Sequence, residues 1–256
     1  MPSGQSRASG RAAGHARHRF HLKHRLGFLL AVEAFAIFGL APLIDIGLVP
    51  HMLLWTTFTL ILLAGAVMTD LTQWRGRLLV GLVVVMLPIQ LWRYLDPTDI
   101  ALVLHPLGLI VFLVLLSWAL AVSVFEAERI GIDQVLGGVV LYLNIGLTFA
   151  VAYSLVAHLA PGAFVFPAPS PTVPVHPSYF AYFSFVTLTT VGYGDTIPVE
   201  PIARSLATLE ASMGQLYPAI ILARLVSIEV SQRDRKELSK SRKDLAQDLR
   251  RTAGHL

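Results

Sequence analysis

Six apolar runs dominate the sequence, each near or above the ~20 residues that a helix needs to cross about 30 Å of hydrocarbon. They are Leu26–Ile46 (interrupted by Pro42), His51–Thr69, Leu78–Leu95, Ile100–Phe125, Val135–Leu159 and Ile202–Val230. Inside lipid no water satisfies the backbone, so segments of this length must close their hydrogen bonds internally as helices. The expected fold class is an all-α membrane protein. Composition agrees: 55% of residues are hydrophobic and 14% charged, against roughly 25% charged in average soluble chains. Little sequence remains for a soluble domain, and no enzymatic activity is expected.

The basic residues set the orientation. Six precede the first run (Arg7, Arg11, Arg17, Arg19, Lys23, Arg25), Arg75 and Arg77 follow the second, Arg129 follows the fourth, and eight lie from Arg233 to Arg251. Seventeen of the twenty Lys and Arg residues thus fall on one side of a six-span topology. The positive-inside rule makes that side, with both termini, cytoplasmic. The basic surplus is accounted for at membrane edges and calls for no nucleic-acid partner. The run after Arg25 reads as the first span rather than a signal peptide, because five more follow it. Residues 1–25 read as a disordered basic tail, 126–134 as a cytoplasmic linker, and 231–256 as a charged cytoplasmic helix or tail. The chain has no cysteine, so it has neither a disulfide framework nor a thiolate metal site. No cofactor is expected.

Between the last two runs the pattern changes. Pro161, Pro167, Pro169, Pro171, Pro174 and Pro177 mark an extended external loop. The apolar, aromatic stretch Ser178–Thr190 follows, with Ser178 as its N-cap. Its 13 residues reach only roughly 20 Å at 1.5 Å per residue, so it enters the membrane without crossing, as a re-entrant helix. Thr189-Thr190-Val191-Gly192-Tyr193-Gly194-Asp195 comes next. Non-helical backbone at membrane depth is tolerated where protein buries it or where it lines a water-filled path. Gly192 and Gly194 permit backbone conformations closed to residues with a Cβ. With alternating backbone signs, successive carbonyls turn to one side and form the oxygen column that a dehydrated K⁺ requires.

This heptapeptide resembles the selectivity filter of tetrameric potassium channels. The resemblance extends over residues 135–230 as outer helix, extracellular loop, pore helix, filter and inner helix. It implies that the carbonyls of Thr190, Val191, Gly192 and Tyr193, with the Thr190 hydroxyl, coordinate K⁺. Gly194 completes the filter strip, and Asp195, Thr189 and Tyr182 support it from behind. Tyr182 and Phe183 stand where related channels often carry bracing tryptophans. Tyr182 can donate a hydrogen bond and Phe183 cannot, and Val186 offers no carboxyl behind the filter. One strip cannot surround an ion, so four copies, a homotetramer, are implied. The expected function is passive, K⁺-selective conduction in the plasma membrane. A weakly selective cation channel and a non-conducting assembly subunit are the alternatives.

Residues 26–125 resemble the four-span layout that precedes the pore in voltage-gated channels, but the fourth run carries no Lys or Arg. Moving one charge through the field supplies about 2.3 kcal/mol per 100 mV, and none is there to move, so strong voltage gating is not expected. Glu33 and Glu210 lie inside apolar runs and are candidates for function by default. For Glu33 the bland expectation is a protonated acid or a bond to a neighbouring helix. For Glu210 it is a brace between inner helix and pore helix. His51 and His105 are expected at the outer interface. Gly214, nineteen residues after Asp195, and Pro218 are a gating hinge by resemblance; Pro218 also lacks the N–H that the Gly214 carbonyl would accept. Gln215, Pro218, Leu222 and Val226 recur at helical spacing as candidates to line the central cavity. Leu238 and Leu245 are seven apart but the heptad positions between them are polar, so the tail reads as a solvated helix, with a coiled coil as the alternative.

Overall fold

The computed structural model describes residues 26–46, 48, 57, 61, 63–65, 74–96, 98–125, 132–166 and 177–253. Among them five helices are long and apolar enough to cross a membrane. The first, α1, covers Leu26–Ile44. Its stretch Phe35–Leu40 is π-helical and ends just before Pro42, whose missing N–H leaves a carbonyl one turn back without its usual partner. Next come α2 (Trp74–Leu95), α3 (Asp99–Phe125) and α4 (Ile132–Leu159). The expected span at 51–69 lies outside the described residues, apart from Thr57, Ile61 and 63–65. The tail 1–25, most of the linker 126–134 and the proline-rich centre of the external loop also lie outside them.

The helices pack in sequence order, α2 on α3 and α3 on α4. At Gly108 of α3 an added Cβ would fall 2.2 Å from Met86 Cε, so the Met86 thioether occupies the space that glycine leaves. Leu109, Phe112, Leu113 and Leu116 form the buried stripe of α3, at the spacing an amphipathic helix face requires. Asn144 of α4 crosses to α3, donating Nδ2 to the Leu113 carbonyl at 2.8 Å and to Ser117 Oγ at 2.6 Å.

After α4 a two-residue strand, β1 (Phe164–Val165), pairs antiparallel with β2 (Ile197–Pro198). Between the strands lies α5 (Pro177–Leu188), whose 12 residues span roughly 18 Å, short of a bilayer. The last helix, α6, runs without interruption from Pro201 to Ala253. The charged segment after Val230, expected as a helix or tail, continues this helix as far as Ala253. No glycine or proline occurs between Pro218 and Ala253, and Arg, Lys, Glu, Gln and Leu all propagate helix well. Glu229 and Arg233 add an i,i+4 pair at 3.2 Å.

Two ionisable residues on the apolar helices are buried. His105 is buried on α3, and its Nδ1 lies 3.1 Å from Arg93 Nη1. The guanidinium can only donate, so Nδ1 accepts. Glu33 is fully buried on α1, and neither carboxyl oxygen has a hydrogen-bond partner among the described residues.

Candidate ion-conduction site

The segment that follows α5 is fixed at both ends. The amide of Thr189 donates to the Phe185 carbonyl at 3.0 Å and that of Thr190 to Thr187 at 2.9 Å, closing the last turn. The amides of Val191 (3.0 Å) and Gly192 (3.2 Å) then share the Val186 carbonyl. Thr189 Oγ1 returns to the Phe185 carbonyl at 2.6 Å. These bonds hold the strip against the C-terminal end of α5, where the helix dipole is negative and favours a cation.

Within the strip, φ is +60° at Thr190, +57° at Gly192 and +76° at Gly194. Val191 and Tyr193 are not among the positive-φ residues. The sign therefore alternates residue by residue. Cβ atoms built at Gly192 and Gly194 would meet nothing within 4 Å; glycine is required there for its backbone and not for space. Thr190 has no such licence. A β-branched residue at positive φ is an outlier costing of order 1–3 kcal/mol, and such strain clusters at functional sites. Val191 and Tyr193 are exposed in the single chain.

Beyond the strip, Asp195 is held in place. Tyr182 Oη donates to Asp195 Oδ2 at 2.7 Å, and Asp195 Oδ1 accepts from the Thr196 amide at 2.8 Å. The Tyr182 and Tyr193 rings stack, with centroids 6.5 Å apart and planes at 4°. The hydrogen bond to Asp195, with lesser contributions from burial and the nearby charge, pushes the Tyr182 phenol up to about 12. Phe183, which cannot donate, packs edge-on against Tyr153 (4.9 Å) and Phe164 (5.6 Å). The chain leaving the strip is pinned by the Val199 amide on the Ala163 carbonyl at 2.9 Å and by Glu200 Oε2, which accepts from the Ala203 amide and caps α6.

Behind α5 lies a constellation only partly foreseen. Glu210 of α6 is fully buried; Tyr153 Oη donates to its Oε2 at 2.6 Å, and Ser184 Oγ lies 2.5 Å from its Oε1. The expected brace to the pore helix is made through Ser184, and Tyr153 adds α4 to it. Ser184 shares its helix with the hydroxyls of Ser178 and Thr187, and nothing in the sequence set it apart.

Gly214 lies one turn further along α6. A Cβ there would fall 1.8 Å from the Leu188 carbonyl oxygen, which also accepts from Tyr142 Oη at 3.2 Å. Close backbone approach alone demands glycine at this position, whether or not the helix bends. Pro218 and Leu222 line a cavity of about 330 Å³ between α4 and α6, together with Tyr142, Tyr217 and Arg224. Arg224 Nη2 donates to the Phe125 carbonyl, with the guanidinium over that residue's ring at 5.1 Å.

Comparison with known proteins falls on this part of the chain. A family model described as ion channel matches residues 147–230, from mid-α4 into α6. Protein LctB of Geobacillus stearothermophilus is 37% identical over 108 residues, 41% of this chain and 78% of LctB. Protein LctB of Bacillus caldotenax is 32% identical over 108 residues, covering 41% and 79%. The chain belongs to the family of these LctB proteins, and residues 147–230 are its ion-channel domain. The inward rectifier potassium channel Kirbac3.1 of Paramagnetospirillum magnetotacticum is 36% identical over 84 residues, 31% of this chain but only 24% of that protein. No solved structure matches.

Proposed function

We propose that the chain assembles as a homotetramer around a K⁺-selective pore, conducting passively across the plasma membrane with both termini in the cytoplasm. One observation carries this: positive φ at Thr190, Gly192 and Gly194. Alternation of that kind aims successive carbonyls of 190–193 toward one side. Four copies around an axis would then replace the hydration shell of K⁺ with carbonyl oxygens, and the Thr190 hydroxyl would complete the innermost ring. Asp195, tied to Tyr182, would hold the outer end. Two further facts support the assembly: Val191 and Tyr193 are uncovered in the single chain, as are Leu209, Leu216, Ile220 and Val226 of α6. Bare apolar surface on this scale is met by lipid or by other subunits. The likeness to a protein named as a potassium channel supports the choice of ion.

The pore is not strongly voltage-gated. α3 carries no Lys or Arg between Asp99 and Phe125, and Arg93 is engaged with His105. The test is the reversal potential of the purified protein in planar bilayers with K⁺ on one side and Na⁺ on the other. A weakly selective cation pore would reverse near zero, and a non-conducting subunit would give no current.

A further inference from the structure

The carboxyl of Glu210 joins three helices at one point. Oε2 accepts from Tyr153 of α4 at 2.6 Å, and Oε1 meets Ser184 of α5 at 2.5 Å. All three side chains are fully buried. The contact with α5 is repeated one turn on, where the backbone at Gly214 closes on the Leu188 carbonyl. Residues 210 and 214 of α6 thus meet 184 and 188 of α5 as two i,i+4 rows in register. Leu188 ends α5, two residues before the strained Thr190. A shift or rotation of α6 is therefore imposed on the helix that carries the filter.

Stability alone does not explain an acid at this junction. Apolar side chains of similar volume usually serve buried packing as well or better than a buried carboxyl, and ionisable groups inside a membrane are expensive. What a carboxyl offers is direction: two acceptor oxygens that fix a tyrosine and a serine at set distances. Ser184 has one proton and a second acceptor in reach, the Gly146 carbonyl at 2.7 Å, so the junction extends to the α4 backbone.

We propose that Glu210 is a positioning residue for the ion path: its two oxygens fix the height and rotation of α5 against α4, and couple that helix to displacement of α6. The proposal rests on the assignment of 190–194 as the filter. Glu210 touches no permeant ion and acts through Ser184 and Tyr153.

The test uses the full-length tetramer in planar bilayers, reading the K⁺/Na⁺ permeability ratio and the mean duration of conducting bursts. Glu210→Ala should lower both by about tenfold, the scale of two lost buried hydrogen bonds. Ser184→Ala and Tyr153→Phe should each lower them by roughly threefold. Adding Tyr153→Phe to Glu210→Ala should cost nothing more, because the shared contact is already gone. Glu210→Gln should restore both quantities to within about twofold of wild type, since its amide accepts from Tyr153 and donates to Ser184, whose proton then passes to Gly146. A selective wild type with an unchanged ratio and burst duration in Glu210→Ala would overturn the proposal alone. So would a Glu210→Gln variant as impaired as Glu210→Ala. If Glu210→Ala does not assemble, wild-type values in both Ser184→Ala and Tyr153→Phe would overturn it. A wild type without K⁺ preference would overturn the filter assignment and this proposal with it.

Discussion

The described residues of 26–125 and of 132–230 are both largely helical and apolar, yet the two regions are joined differently. In the second region four tyrosines donate across elements: Tyr142 to Leu188, Tyr153 to Glu210, Tyr182 to Asp195 and Tyr217 to Gly138, the last at 2.6 Å. In the first, Met86 fills the space over Gly108, the Trp74 and Trp118 rings meet at 5.8 Å, and Glu33 has no hydrogen-bond partner among the described residues. Arg93 and His105 supply a polar contact there. Hydrophobic burial is non-directional, whereas hydrogen bonds fix distance and angle. The second region is built to hold positions, as the proposed carbonyl column would require; α3 of the first carries no Lys or Arg.

The contrast is broken most severely at the filter. Gly192→Ala places a Cβ in open space but at φ +57°, a left-handed conformation that costs an L-residue roughly 1–2 kcal/mol. The strip should relax by turning carbonyls away, so K⁺ selectivity should be lost while membrane insertion persists; bi-ionic reversal potentials check this. Gly214→Ala comes next. Its Cβ would sit 1.8 Å from the Leu188 oxygen, and overpacking of that severity costs about 3 kcal/mol or more. Its counterpart is Gly81 of α2, where a Cβ meets nothing within 4 Å. Gly81→Ala should leave the melting temperature of the purified protein unchanged or raise it, since alanine gains up to about 1 kcal/mol of helix propensity, while Gly214→Ala lowers it sharply. Equal behaviour of the two glycines would remove the distinction between the regions.

Tyr182→Phe is milder. It deletes one exposed hydrogen bond to Asp195 and should hasten loss of conduction during sustained opening by about fivefold, the scale of ~1 kcal/mol. The same contact predicts a pH window. The phenol is raised to about 12, above its ordinary value near 10. The contact's stabilisation is full below about pH 10 and fades as pH rises through about 12, and Tyr182→Phe should lack that alkaline component. The smallest effect belongs to the first region. The limiting slope of open probability against voltage should correspond to about one charge or fewer per tetramer, against 3–4 per subunit in steeply gated channels. A slope of several charges would show that this region moves charge after all.

Much of this was legible in the sequence because lipid enforces simple rules. Long apolar runs become helices, and 13 apolar residues after a proline-rich loop cannot cross. Gly192 and Gly194 announce positive φ by residue type. Thr190 does not; its φ of +60° is imposed by the amides gathered on Val186 and Phe185. The junction of Tyr153, Ser184 and Glu210 was legible only at Glu210, because its partners lie 57 and 26 residues away and only packing brings them together. Gly214 stood out in the sequence, but its contact with Leu188 depends on how closely α5 and α6 approach. His105 stood out as the titratable residue of its run, but its contact with Arg93, on the preceding helix, is set by packing.

The central claim is that residues 190–194 of four chains form a K⁺-selective carbonyl column. The most direct measurement is the bi-ionic reversal potential of the wild-type protein with K⁺ on one side and Na⁺ on the other. For a monovalent ion each tenfold of selectivity is worth about 59 mV. A reversal potential beyond about 100 mV, negative on the K⁺ side, is the predicted result; a stable conductance reversing within about 10 mV of zero would contradict it.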